Sequence, residues 1–295
     1  MNERIPSNII VKSIFHITRP YLLPKYIPSV INDILSYIYQ TEPMYYDNLE
    51  IEAKLGHFEF KGTKLNGYYY INEAFRIPDF PKIPQEFGMI FKSGLGPEKF
   101  YLIWSAIENE SKMINSGIKD LGAQTFKEIH YKSGKRSSLI YKEGKLVKEE
   151  IIKKEGKRHF NIRNCGNDFR ITCSKEMPTE ILEDEDVIEM KREKFRVSYQ
   201  FSFYRIDFTI TNSSNESFLS YEIEIEINQI KELLKNNNGK INYDEISTVL
   251  ERFMQNILNL YTATTPESYS FISSKKENKF KNQFGNYLEH NVKSN

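Results

Sequence analysis

Eight consecutive residues, Tyr221-Glu222-Ile223-Glu224-Ile225-Glu226-Ile227-Asn228, constrain the fold of this chain more than any other stretch. Strict alternation reads as a β-strand with three isoleucines on one face and three glutamates on the other. One such strand needs only a core on one side and water on the other. The chain carries the pattern twice, because Leu49-Glu50-Ile51-Glu52-Ala53-Lys54 repeats it far away in sequence. Glutamate is disfavoured in strands, and like charges on neighbouring strands repel. At ~5 Å and an effective dielectric of ~20, each facing pair costs roughly 3 kcal/mol. If the two strands are neighbours, something cationic must sit between them.

Two further strands supply the cations. Lys191-Arg192-Glu193-Lys194-Phe195-Arg196 puts Arg192, Lys194 and Arg196 on one face, and Tyr204-Arg205-Ile206-Asp207-Phe208-Thr209 does the same for Arg205, Asp207 and Thr209. One-sided acids and one-sided bases are reconciled by a sheet that closes, with charged faces inward and apolar faces outward against helices. The lumen is then polar, suited to a divalent cation such as Mg or Mn on hard oxygen ligands and to a polyphosphate on Lys and Arg.

The rest of the chain fits that sheet. Short alternating segments are predicted over Thr125 to Tyr131, Ser137 to Tyr141, Leu146 to Lys154, Lys157 to Arg163, Asp168 to Ser174, Val187 to Tyr199, Phe201 to Asn212 and Phe218 to Asn228. Turn signals at Ser133-Gly134, Glu143-Gly144, Glu155-Gly156 and Cys165-Gly166 separate several of them. Helical spacing appears at Pro28 to Tyr39, Pro97 to Ile114 and Tyr243 to Tyr261, with Trp104 on an apolar helix face and read as core. Pro78 to Pro84 reads as loop. The expected organisation is one mainly-β domain with flanking helices over residues 1–264, and a flexible tail over 265–295.

Charge is segregated along the chain rather than in excess. The formal net charge is only +1, yet residues 132–163 hold eleven Lys or Arg against four Glu, and residues 180–189 hold six acids. No apolar run approaches the ~20 residues of a membrane span, and Met1 to Val11 lacks a signal-peptide pattern, so a soluble intracellular protein is expected. Cys165 and Cys173 form neither a disulfide framework nor a zinc pair.

In order, EIEAKLG (Glu50 to Gly56), RSS (Arg136 to Ser138), IIKK (Ile151 to Lys154), DFRITCSKEMP (Asp168 to Pro178), RxKxR (Arg192 to Arg196), RIDFT (Arg205 to Thr209) and YEIEIEIN resemble the blocks of the fungal and protozoal mRNA-capping RNA 5'-triphosphatases, within the triphosphate tunnel metalloenzymes. The resemblance implies a closed eight-stranded antiparallel barrel that removes the γ-phosphate of triphosphate-ended RNA with Mg or Mn. By motif, Glu50, Glu52 and Glu226 resemble metal ligands, and Glu222 and Glu224 acids that hold the metal's waters. Arg136, Lys194 and Arg196 resemble the γ-phosphate clamp. Lys153, Arg192, Arg205, Asp207 and Thr209 resemble its supporting ring, and Glu176 falls on a glutamate that positions water. Leu55 stands where the family often has an aromatic residue. The chain has neither a Trp-rich tether nor a nucleotidyltransferase lysine motif, so a separate guanylyltransferase partner is implied, and the capping role alone implies a nuclear setting. A homodimer is compatible with the sequence, which leaves the oligomeric state open.

Rival chemistries fare worse. Cys165 to Arg170 has four intervening residues where a cysteine phosphatase needs five, no P-loop GxxxxGK[ST] occurs, and the five histidines form no HExxH. An inorganic tripolyphosphatase or nucleoside triphosphatase of the same fold remains as an alternative. So does a non-catalytic barrel that binds polyphosphate or RNA 5' ends, although a reader has no need of five repelling glutamates.

Overall fold

The computed structural model describes residues 27–60, 89–162, 168–182, 186–236 and 242–262. The expectations for Pro78 to Pro84, Cys165 and the tail after 264 lie outside the described residues. The described residues form nine strands: β1 (Leu49–Phe60), β2 (Met89–Ser93), β3 (Lys119–Tyr131), β4 (Lys135–Lys142), β5 (Lys145–Ile162), β6 (Asp168–Pro178), β7 (Ile188–Gln200), β8 (Tyr204–Ser213) and β9 (Ser220–Ile227). Every pairing among them is antiparallel. The order β1-β6-β5-β4-β3-β7-β8-β9 closes when β9 returns to β1 through Glu52↔Glu226, Ala53↔Ile225 and Lys54↔Glu224. The result is a closed eight-stranded antiparallel barrel, and β2 is a ninth strand on the far end of β1, from Gly56 to Phe60.

β1 therefore exchanges β9 for β2 along its length. A Cβ on Gly56 would lie 2.1 Å from the Lys92 carbonyl oxygen, closer than any side chain tolerates. Glycine at this position is what lets β2 approach.

The apolar half of each alternation points outward and forms the core there. Ile51, Ala53 and Leu55 of β1, Ile206, Phe208 and Ile210 of β8, and Ile223, Ile225 and Ile227 of β9 are all buried in one cluster. They are covered by α1 (Ile27–Gln40), α2 (Pro97–Ser111) and α4 (Tyr243–Thr262), with α3 (Gln229–Asn236) adding Ile230 and Leu234. Each such side chain withdrawn from water is worth about 1.5–3 kcal/mol. Trp104 of α2 stacks on Phe208 at 6.0 Å and donates its indole N–H to the Tyr199 hydroxyl at 3.2 Å, as a core residue does.

Two expectations change. Leu146 to Lys154 and Lys157 to Arg163 are not two strands: β5 runs through Glu155-Gly156 without turning, and the register against β6 slips between Glu155 and Arg158. Gly156, at φ +60°, provides a bulge instead of a hairpin. Gly134 and Gly144, also at positive φ, do make the predicted turns between β3, β4 and β5. The short elements β2 and α3 have no forerunner in the periodicity.

Candidate functional site

Cross-strand register fixes which side chains share the lumen, because directly paired residues face the same side of a sheet. Glu52 lies opposite Glu226, Glu226 opposite Arg205, and Lys54 opposite Glu224, which in turn faces Asp207. Thr209 pairs with both Glu222 and Arg196, and Thr211 with Lys194. The two glutamate strands are thus neighbours in the closed barrel.

The repulsion is relieved by cations held among the acids. Lys154 of β5 is bonded to Glu50 and reaches Glu52 at 3.4 Å and Glu176 at 3.6 Å. Lys54 lies 2.6 Å from Glu224 and 3.6 Å from Glu52. Arg196 spans Asp207 at 3.1 Å and Glu224 at 2.9 Å while its Nε donates to Thr209. Arg205 joins Asp207 to Glu226, and Arg136 approaches Glu176 at 3.4 Å. Glu222 accepts from the hydroxyls of Ser93 and Ser220.

These contacts shift the ionisation of the groups. Burial disfavours the charged form of Glu224, but Lys54, Arg196 and Lys194 overcome it and hold the carboxyl far below the usual range. Burial raises the pKa of Glu226, with Glu50 adding to the rise against the pull of Arg205. Lys194 is held below the ordinary lysine value by burial, Arg196 adding its own repulsion against the attraction of Glu128. An ammonium so placed suits a further anionic partner such as a phosphate oxygen.

The predicted residues Glu50, Glu52, Arg136, Glu176, Arg192, Lys194, Arg196, Arg205, Asp207, Thr209, Glu222, Glu224 and Glu226 all lie on the inner face by register. Lys153 does not. It pairs with Lys135 and Met177, whereas its neighbour Lys154 pairs with Glu176 and points inward. The IIKK block leaves two adjacent lysines to choose between, and the register selects Lys154.

Sequence reasoning also missed Glu128 of β3. Its carboxylate sits 2.8 Å from Lys194 and 3.1 Å from His130, and all but a few per cent of it is buried. Burial opposes its charge, but Lys194, His130 and Arg136 together outweigh it and hold the carboxyl well below its usual range. The available signal was Lys194 itself, a lysine on a closed inner face that needed an acid. Glu128→Gln leaves this ammonium without its closest carboxylate and is expected to cost roughly 3 kcal/mol. A depressed carboxyl pKa contributes stability that is complete above about pH 4.5 and is lost as the pH falls through the folded-state value. Denaturant melts should therefore show the gap between wild type and variant at pH 7 closing below pH 4.5.

For a divalent cation the test is the donor set. Glu50, Glu52 and Glu226 are hard oxygen donors on adjacent strands, with Glu52 directly opposite Glu226, which suits Mg or Mn. Among the described residues no three acids, histidines or cysteines have closed around a common point, and Lys154 stands between Glu50 and Glu52. The donors fit the ion in kind, with an ammonium offsetting their charge.

Comparisons with known proteins follow this geometry. Residues 135–265 match the family model described as mRNA capping enzyme, beta chain. A search of curated protein sequences gives no match. Among solved structures, the S. pombe Pct1 RNA triphosphatase in complex with the Spt5 CTD is 19% identical over 82% of this chain and 95% of its own, with a TM-score of 0.59. A second structure of the S. pombe Pct1 RNA triphosphatase gives 19% identity, 82% and 94% coverage, and a TM-score of 0.58. The Mimivirus capping enzyme triphosphatase is 16% identical over 80% of this chain and 96% of its own, at a TM-score of 0.46. The chain has the triphosphate tunnel fold and resembles the mRNA-capping RNA triphosphatases. The matched segment begins at β4, so the first carboxylate strand lies outside it.

Proposed function

We propose that this chain is a divalent-metal-dependent RNA 5'-triphosphatase that hydrolyses the γ-phosphate of triphosphate-ended RNA, leaving a diphosphate end, in the first step of mRNA 5' capping. The observation that carries the reading is a single closed lumen in which the acids of β1 and β9 face the cations of β4, β5, β7 and β8.

Arg136, Lys194 and Arg196 bind the γ-phosphoryl oxygens and offset the charge that gathers as the bridging oxygen departs. Asp207, bonded to both Arg196 and Arg205, fixes the two guanidinium planes. Thr209 holds Arg196 from the other side through its hydroxyl. Glu50, Glu52 and Glu226 would hold a Mg or Mn ion, which when bound polarises the phosphoryl group and lowers the pKa of water. Glu222 and Glu224 face the same lumen and orient water there. A carboxylate of this cluster accepts the proton of the attacking water, since neighbouring acids raise one another's proton affinity. A separate guanylyltransferase then takes the diphosphate end, and this role places the protein in the nucleus.

The test is phosphate release from γ-labelled triphosphate-ended RNA with and without Mg or Mn, beside ATP and tripolyphosphate. Metal-dependent release from RNA is expected. Release from tripolyphosphate alone moves the protein to an inorganic tripolyphosphatase reading, and no release from any substrate favours a polyphosphate-binding barrel.

A further inference from the structure

Lys194 and Arg136, two cations of the proposed γ-phosphate clamp, both act on Glu128 of β3. Oε2 of that carboxylate lies 2.8 Å from the Lys194 ammonium, and the charge of Arg136 adds to what keeps it ionised. Arg136, which approaches Glu176 with one end, keeps a buried Nε that has no partner among the described residues. A carboxylate that turned toward this guanidinium would satisfy it, and the clamp would then lose a free arginine edge and the counter-charge of its lysine together. The arrangement needs a group that holds Glu128 on Lys194.

His130 is placed to do this. Two residues further along β3 it projects from the same inner face, paired with Arg136 of β4 on one side and with Met190 of β7 on the other. Its Nε2 lies 3.1 Å from Oε2 of Glu128, the oxygen that Lys194 also engages. Both groups on that oxygen donate, because the carboxyl is held ionised and an ionised carboxylate only accepts. The proton of the ring is thereby assigned to Nε2. Glu128 is 4% and Lys194 6% exposed, so water has little access to take the place of the imidazole. A histidine that only filled space between Arg136 and Met190 would need neither this contact nor a fixed tautomer.

We propose that His130 is a positioning residue: by donating from Nε2 to Oε2 of Glu128 it fixes that carboxylate on Lys194 and keeps it off Arg136, which stays available to an incoming phosphoryl group. The inference rests on the triphosphatase reading of the lumen and adds to it a residue that lies outside every sequence block named above.

The test compares full-length wild type with His130→Ala, His130→Gln, Glu128→Gln and the double variant His130→Ala/Glu128→Gln, each below its melting temperature. In phosphate release from triphosphate-ended RNA with Mn, His130→Ala should lower kcat roughly tenfold while KM moves less. His130→Gln, whose side-chain amide can donate to the same oxygen, should recover most of that loss. Adding His130→Ala to Glu128→Gln should cost nothing further, since the ring acts through a carboxylate already gone. Long-range 15N spectra of the imidazole should show a proton on Nε2 in wild type. An Nε2 without a proton, an unchanged kcat in His130→Ala, no recovery in His130→Gln, or losses that add in the double variant overturns the inference. If wild type releases no phosphate from any triphosphate, calorimetric titration of inorganic phosphate takes the place of the rate. Weaker phosphate binding by His130→Ala with recovery in His130→Gln would then keep the positioning role and sink the function proposed above, and equal binding by all three proteins would sink both.

Discussion

Glu226→Ala is expected to reduce phosphate release from triphosphate-ended RNA by roughly a thousandfold or more, because it removes one of the three carboxylates proposed to hold the metal. The fold should survive. Glu226 lies on the inner face of β9, its backbone stays paired with Arg205 and Glu52, and Arg205 keeps Asp207 at 2.9 Å. Removing a carboxylate whose pKa is raised by burial and by Glu50 also removes a charge the fold holds at a cost, so the melting temperature should stay level or climb. Glu50→Ala should lose comparable activity but behave less simply in stability, since it withdraws a carboxylate from Lys154 and the acceptor of the Ser174 hydroxyl. The measurement is single-turnover release of labelled phosphate with Mn, beside a thermal melt of each protein. Full activity in Glu226→Ala would sink the assignment of the carboxylate cluster, and lost activity with a collapsed melt would leave only a structural role for the residue.

The legibility of this barrel in sequence depends on how cleanly each strand alternates. Through the middle of β1, β8 and β9 every second residue is apolar, so the opposite face is fixed once the sheet is taken as closed, and Glu50, Glu52, Arg205, Asp207, Glu222, Glu224 and Glu226 fall where the pattern puts them. β3 hides its site residue because Phe126 is itself inward-facing, over which Arg196 lies at 5.1 Å, so Glu128 two residues on carries no apolar contrast. β5 is harder still. Its sequence Glu149-Glu150-Ile151-Ile152-Lys153-Lys154 repeats each residue type in pairs, and period-two reasoning then has no phase. Gly156 compounds the difficulty, since a Glu-Gly pair signals a hairpin in most settings and here produces a bulge that moves the inner face to Lys157, His159 and Asn161. β2 is five residues long and pairs only where Gly56 admits it, a tertiary condition with no local trace.

That ambiguity on β5 gives the sharpest contrast available in the molecule: Lys154→Ala should lose activity by about a hundredfold or more, and Lys153→Ala should remain within about twofold of wild type. The two lysines are adjacent in sequence and identical in chemistry, so any difference reports which way the strand faces. Lys154 holds Glu50, Glu52 and Glu176 at once, and its ammonium is kept protonated by Glu52 and Glu50 in spite of burial. Without it, three acids face one another across the lumen with less positive charge between them, and a metal bound there must offset more of their repulsion. Activity in Lys154→Ala should therefore recover in part at higher Mn concentration, a response that a merely destabilised protein would not show. Lys153 pairs with Lys135 on the outer face, where Lys135 is itself bound to Asp186 at 2.8 Å, and its loss relieves a like-charge neighbour. Equal loss in both variants would mean that β5 is read in the wrong register, and the assignments of Glu176 and Arg136, which depend on the same pairings, would fall with it.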